Sequence, residues 1–227
     1  MNKRTKAHWC ELIEKNSKVK FSLGLLALIC FSLVLLLVSV FTQIPLPNLS
    51  IPVEYILHPV TYFSNFSSER IGLVDYQYIP QVPVLFFLST VLGPVYSTLT
   101  VVIYIILGLT PWFPIFALGG GISYFLQYGF GYILSYPFAV CMVAKMLKND
   151  ISSLNIIKSA FFGVILIHFF GCIYLTVIAL LKHESMDFIL DLIFAQSVTK
   201  IFYDYIFSLG VIFASKLFKK YIWLING

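Results

Sequence analysis

Apolar residues dominate six stretches of this chain, and the breaks between them are made by proline, glycine and small clusters of charge. Phe21 to Phe41 carries no charge and is long enough to cross a bilayer, which takes about 20 residues of helix. The next two stretches, roughly Pro80 to Leu92 and Val95 to Leu109, are short; Gly93-Pro94 separates them and Thr110-Pro111 closes the second. Longer runs follow from about Ile122 to Leu147, Ala160 to Leu181 and Phe188 to Phe218. The pattern predicts an all-α integral membrane protein, a compact six-transmembrane-helix bundle over residues 21–218.

The centre of the pattern, Tyr78 to Tyr136, alternates apolar runs with Pro and Gly breaks. Lipid cannot satisfy the polar backbone that such breaks release, so irregular chain at membrane depth normally lines a buried cavity. A binding site is expected there. Between the first two helices lies a connection, residues 43–79, whose Pro45, Pro47, Pro52 and Pro59 exclude a helix. Loops of this length are uncommon in bundles and often act as lids, so an external lid is expected.

Mean hydropathy of +0.92 and a charged share of only 11% fit a membrane protein. The net charge of +5 then reads as topology rather than as an affinity for nucleic acid. Six basic residues precede the first helix, Lys145, Lys148 and Lys158 surround the link between the fourth and fifth, and Lys216, Lys219 and Lys220 end the sixth. In the six-helix arrangement all twelve fall on one side, which the positive-inside rule makes cytoplasmic. Residues 1–20 are then a basic cytoplasmic segment, 219–227 a cytoplasmic tail, and the lid is outside with Arg70, Lys182 and the acids Glu54, Glu69, Asp75, Glu184 and Asp187.

Lys200 breaks the apolar pattern of the sixth helix, with Asp204 one turn on and on the same face. An ammonium at membrane depth is costly and normally has a partner or faces a cavity. The two residues form either a structural pair or a cation site for a ligand carboxylate. Tyr124, Tyr128, Tyr132 and Tyr136 repeat every four positions, as packing or as a ligand wall, and Gly129 and Gly131 permit close approach beside Tyr132. Gly119, Gly120 and Gly121 have the same two readings. Gln81 opens a short helix and needs hydrogen-bond partners from the bundle or a ligand. His168 and Cys172 share a face but lack further ligands for a metal, and Cys10, Cys30, Cys141 and Cys172 show no CxxC spacing. No GxxxxGK[ST], HExxH or GxSxG motif occurs, so neither an enzyme nor a cofactor is expected.

Taken in order, IPLP (Ile44 to Pro47), Gln81 before Gly93-Pro94, YIILGL (Tyr104 to Leu109), FPIF (Phe113 to Phe116), Gly119-Gly120-Gly121 and GFGYIL (Gly129 to Leu134) resemble the BioY family. These are the biotin-binding S components of energy-coupling factor transporters. The resemblance implies a six-helix component of a bacterial-type inner membrane that captures biotin outside and depends on a coupling transmembrane subunit and a pair of ATPases. It implies ligand contacts at Gln81, at Gly119 to Gly121 and at Tyr132, with Lys200 matching the lysine that follows the family's Pro-Gly-Asp. That tripeptide reads Ala195-Gln196-Ser197 here. Biotin's rings are expected on Trp112, Phe116 and the tyrosines, and its carboxylate on Lys200. The competing reading is a non-transporting structural or assembly subunit, or an S component for another carboxylate-bearing vitamin.

Overall fold

A computed structural model describes residues 23–50, 72–112, 115–117, 119–148 and 150–226. The basic segment at 1–20, the middle of the expected lid with Glu54, Glu69 and Arg70, and Phe113 lie outside the described residues. Contacts group the chain into residues 1–31 and 32–227; the core and cavity described next belong to the second group.

The described chain is mostly helical: α1 (Leu23–Phe41), α2 (Gln81–Leu109), α3 (Phe130–Lys148), α4 (Ser153–Leu181), α5 (Met186–Ile193) and α6 (Thr199–Asn226). Among the described residues, five helical elements are long and apolar enough to cross a membrane, the fifth running continuously over Met186–Leu217. On α4, Phe161, Phe162, Phe169 and Phe170 are exposed, as lipid-facing side chains are. The core gathers Leu85, Phe86, Val101, Tyr104, Val140 and Ile167 from α2, α3 and α4.

Two short helices were expected on either side of Gly93, and α2 carries that break as a non-helical residue at φ 75°, ψ −179°. Glycine reaches this positive φ without the steric cost that a Cβ brings, and Pro94 starts the next turn with its φ already set. The two arms fold back on each other. Gln81 and Tyr104, 23 positions apart, share a hydrogen bond of 3.0 Å, whereas a straight helix would hold them about 34 Å apart. The hydroxyls of Ser97 and Thr98 donate to the carbonyls of Gly93 and Pro94 at 2.6 and 2.7 Å, supplying donors at the break.

The all-α expectation holds for the bundle, and the connection over residues 43–79 adds two short strands to it. Its two ends, β1 (Ile44–Ser50) and β2 (Gly72–Tyr78), pair antiparallel with Ile44 opposite Tyr78. The prolines that exclude a helix do not exclude a strand here. A two-stranded ribbon is all edge, and Pro45 and Pro47, two apart, can both turn the side without an N–H outward. The hydroxyl of Tyr203 on α6 donates to the Pro47 carbonyl, and the rings of Tyr76 and Tyr203 stack at 6.1 Å.

The fourth helix also starts later than expected. Residues 122–126 form a 3-10 turn, Gln127 is extended, and α3 begins only at Phe130. Gly121 before the turn has φ 89° and donates its N–H to the Gly108 carbonyl, which ties this link to the end of α2. The fifth helix starts earlier, at Ser153, because Ser152 caps it by accepting the Asn155 N–H. The last element is continuous but irregular: a π turn at Phe194–Val198 joins α5 to α6, and the helix extends to Asn226.

Candidate functional site

Asp204 is the centre of the polar chemistry, 0% exposed on α6. Its Oδ2 accepts Lys200 Nζ at 2.8 Å, one helical turn away, and stands 3.1 Å from His168 Nε2 on α4. Its Oδ1 accepts the hydroxyl of Tyr78, the last residue of β2, at 2.8 Å. A buried carboxylate is tolerated only with such partners. Burial, and next the nearby Asp204 carboxylate, push the Tyr76 hydroxyl up to about 12, and the same causes raise Tyr78 further. Tyr78 therefore stays a proton donor to Asp204 at any physiological pH.

Gln81, at the first turn of α2, bridges two helices through its amide. Its Nε2 donates to Tyr104 Oη and its Oε1 accepts from Tyr136 Oη on α3, each at 3.0 Å. Both tyrosine rings are thereby fixed at the level where the arms of α2 open. Phe116 holds the neighbouring link: its ring meets Tyr104 edge-on and Tyr124 at 4.6 Å. A Cβ on Gly108 would lie 2.1 Å from the Phe116 ring, so only glycine leaves this ring its place.

Tyr132 is set by a second close approach. Its ring lies over Gly171 of α4, where a Cβ would come within 2.3 Å of it. Its hydroxyl pairs with Ser197 Oγ at 2.6 Å, and Cys172 Sγ stands 3.1 Å from the same Ser197 oxygen. The π turn brings this about: a turn closed by i→i+5 bonds widens the helix, so that Ala195 and Gln196 face a cavity while Ser197 reaches Tyr132. Farther along, Tyr128 leaves the stripe and donates its hydroxyl to Glu184 at 2.8 Å, which raises its pKa, with Lys182 Nζ 4.2 Å above the ring.

Gln81, Tyr104, Tyr132, Tyr136, His168 and Lys200 line a cavity of about 230 Å³, room for far more than a single water. Lys200, His168 and Gln81 supply its polar wall, and Ile133, Ile167 and the tyrosine rings its apolar one. Of the residues expected from sequence, Gln81, Tyr132 and Lys200 meet here. Trp112, Phe116, Gly119, Gly120 and Gly121 do not line it. Trp112 is 83% exposed just beyond the end of α2, Phe116 is 1% exposed inside the aromatic cluster, and Gly119 serves a bridge to the Phe116 backbone. The tyrosine stripe contributes differently from a helical stripe: Tyr132 and Tyr136 come from α3, but Tyr124 comes from the 3-10 turn. His168, Tyr76, Tyr104 and Gln196 line the cavity unforeseen as ligand contacts. For His168 the signal in the sequence was its lone place in an apolar helix, the same signal that singled out Lys200.

The model of the BioY family matches residues 70–222. No curated protein matches the chain. Among solved structures, the fold is similar to that of the S-component for biotin from an ECF-type ABC transporter, determined at 2.1 Å, with a TM-score of 0.61 and 19% identity, covering 88% of this chain and 95% of the other. The family match takes in the cavity from Tyr76 to Lys200 and about two thirds of the sequence, and on that extent this chain belongs to the BioY family.

Proposed function

We propose that this chain is the substrate-capturing membrane component of a vitamin uptake system and that its ligand is biotin. The observation that carries the proposal is Lys200: an ammonium with 21% of its side chain exposed, at the wall of a cavity faced mostly by rings and aliphatic groups, with Gln81, His168 and Gln196 as its other polar side chains. Such a wall suits a ligand with an apolar body and one carboxylate. Biotin's carboxylate takes Lys200, its rings lie among Tyr104, Tyr124, Tyr136 and Ile133, and its ureido group takes polar groups of the wall near Gln81. Membership of the BioY family and the fold shared with a biotin S-component support this reading.

The chain has no phosphate loop of its own, so import driven by ATP needs a coupling transmembrane subunit and a pair of ATPases. If each arm of α2 is one pass, the chain crosses six times in the cell membrane. Both termini are then cytoplasmic, as the lysine distribution asks. The β1–β2 ribbon is the base of the external lid. The test is saturable binding of labelled biotin to the purified, folded protein. A folded protein without saturable binding rules biotin out, and isolation always without ATPase subunits counts against the coupled system.

A further inference from the structure

A second concavity lies on an exposed face of α3, toward the end that is remote from the cavity. Thr98 of α2 and Pro137, Phe138, Cys141, Met142 and Lys145 of α3 line a groove of about 540 Å³. Phe138 stands 68% exposed at one end, Cys141 and Met142 are half-buried along it, and Lys145 is exposed at the other end, in the last turn of the helix. Lys145 is the one charge on the groove, and the Thr98 hydroxyl is already engaged by the Pro94 carbonyl. Among the described residues Lys145 has no ion pair. The nearest acid along the chain, Asp150, already accepts from Ser152 and Asn155.

An apolar groove that ends in an unpaired cation complements an amphiphile. From Phe138 to Lys145 the helix rises about 10 Å, within the depth of about 15 Å that one leaflet of hydrocarbon offers, so an acyl chain can lie along the groove with its headgroup at the level of Lys145. The helix dipole and the topology rule account for lysines at this end of α3, but neither calls for a groove beneath one of them. We infer that the groove holds one phospholipid of the surrounding leaflet, with an acyl chain along Phe138, Cys141 and Met142 and an anionic phosphodiester headgroup on Lys145. Lys148, exposed in the same last turn, adds to the attraction. A transmembrane helix of a partner fits these walls less well. Close helix contacts favour small residues, whereas an exposed phenylalanine and flexible methionine suit a chain without fixed shape. The inference needs the chain to span a bilayer and does not depend on what the cavity binds.

The test uses the full chain, purified in detergent and mixed with phosphatidylglycerol or with phosphatidylcholine of identical acyl chains. Retained lipid is counted by native mass spectrometry, and maleimide alkylation of Cys141, which lines the groove, is followed by peptide mapping. One phosphatidylglycerol should be held about fivefold more tightly than phosphatidylcholine, the increment that one lysine brings at an anionic headgroup, and it should slow the alkylation of Cys141. The preference should shrink in high salt. Lys145→Gln should abolish it, whereas Lys158→Gln, an exposed lysine off the groove, should leave it intact. Should Lys145→Gln fail to fold, Met142→Trp gives the same reading by filling the groove with Lys145 in place. Equal retention of the two lipids, a preference that survives either change in folded protein, or Cys141 alkylated at the same rate with and without phosphatidylglycerol overturns the inference. Protection of Cys141 by bound transporter subunits but not by lipid also overturns it and gives the groove to a partner helix.

Discussion

Tyr78 and Asp204 meet through a 2.8 Å hydrogen bond across 126 positions of sequence. The bond joins the end of the β1–β2 ribbon to the carboxylate that holds Lys200 and His168, so the strand and the polar wall share one anchor. Tyr78→Phe keeps the ring and its contact with Phe207 at 5.1 Å but takes one donor from Asp204. A cost of about 1–3 kcal/mol is expected for a buried acceptor left short of a partner. Thermal unfolding should show it, and amide exchange along residues 72–78 should quicken; an unchanged exchange rate would mean that the ribbon is held by its rings alone.

Lys200→Ala tests the cation directly. Asp204 keeps Tyr78 and His168 as donors, so the variant should still be produced and monodisperse, with biotin affinity lower by roughly 10- to 100-fold for a lost charge-assisted contact. Loss of folded protein in step with loss of binding would identify Lys200 and Asp204 as a structural pair only.

Gly171→Ala places a methyl group 2.3 Å from the nearest atom of the Tyr132 ring. Overpacking of this kind costs about 1–3 kcal/mol, and the ring has to leave its bond to Ser197. Binding should fall together with the unfolding midpoint. Adding Tyr132→Leu should restore the midpoint without restoring affinity, and recovery of both would show that Tyr132 does not touch the ligand.

Gln81→Leu leaves the Tyr136 hydroxyl without its acceptor and Tyr104 without its donor. Each such loss inside the bundle is worth about 1 kcal/mol or more. The triple variant Gln81→Leu, Tyr104→Phe, Tyr136→Phe removes all the partners at once and should be more stable than Gln81→Leu alone. If the triple variant is the less stable, the amide is not what the hydroxyls depend on.

The parts of the site that were legible in the sequence were those with a local anomaly. Gly93-Pro94 marked the reversal of α2, Gln81 stood out beside prolines, and Lys200 broke an apolar helix four residues before Asp204. What escaped was assembled over distance. That Asp204 also serves Tyr78 and His168 depends on residues 126 and 36 positions away, and no spacing rule connects them. The ribbon was hidden because Pro45 and Pro47 obscure its alternation. The tyrosine interval of four suggested one helical face, yet a 3-10 turn and an extended Gln127 intervene, and three of the four rings reach the cavity from two different elements. Trp112 and Phe116, expected against the ligand's rings, both lie off the cavity. Solvent claims one, and the groove over Gly108 the other.

The reversal at Gly93 also bears on the surrounding bilayer. From Gln81 to the break the first arm of α2 has only 12 residues, about 18 Å of helix, against a hydrocarbon thickness of about 30 Å. The lipid beside this hairpin must thin, or the tip must end inside the apolar layer with its carbonyls met by Ser97 and Thr98 instead of water. In the first case membrane thickness becomes a variable that acts on the same helix that holds Gln81 at the cavity; in the second the hairpin tip is sealed by its own hydroxyls.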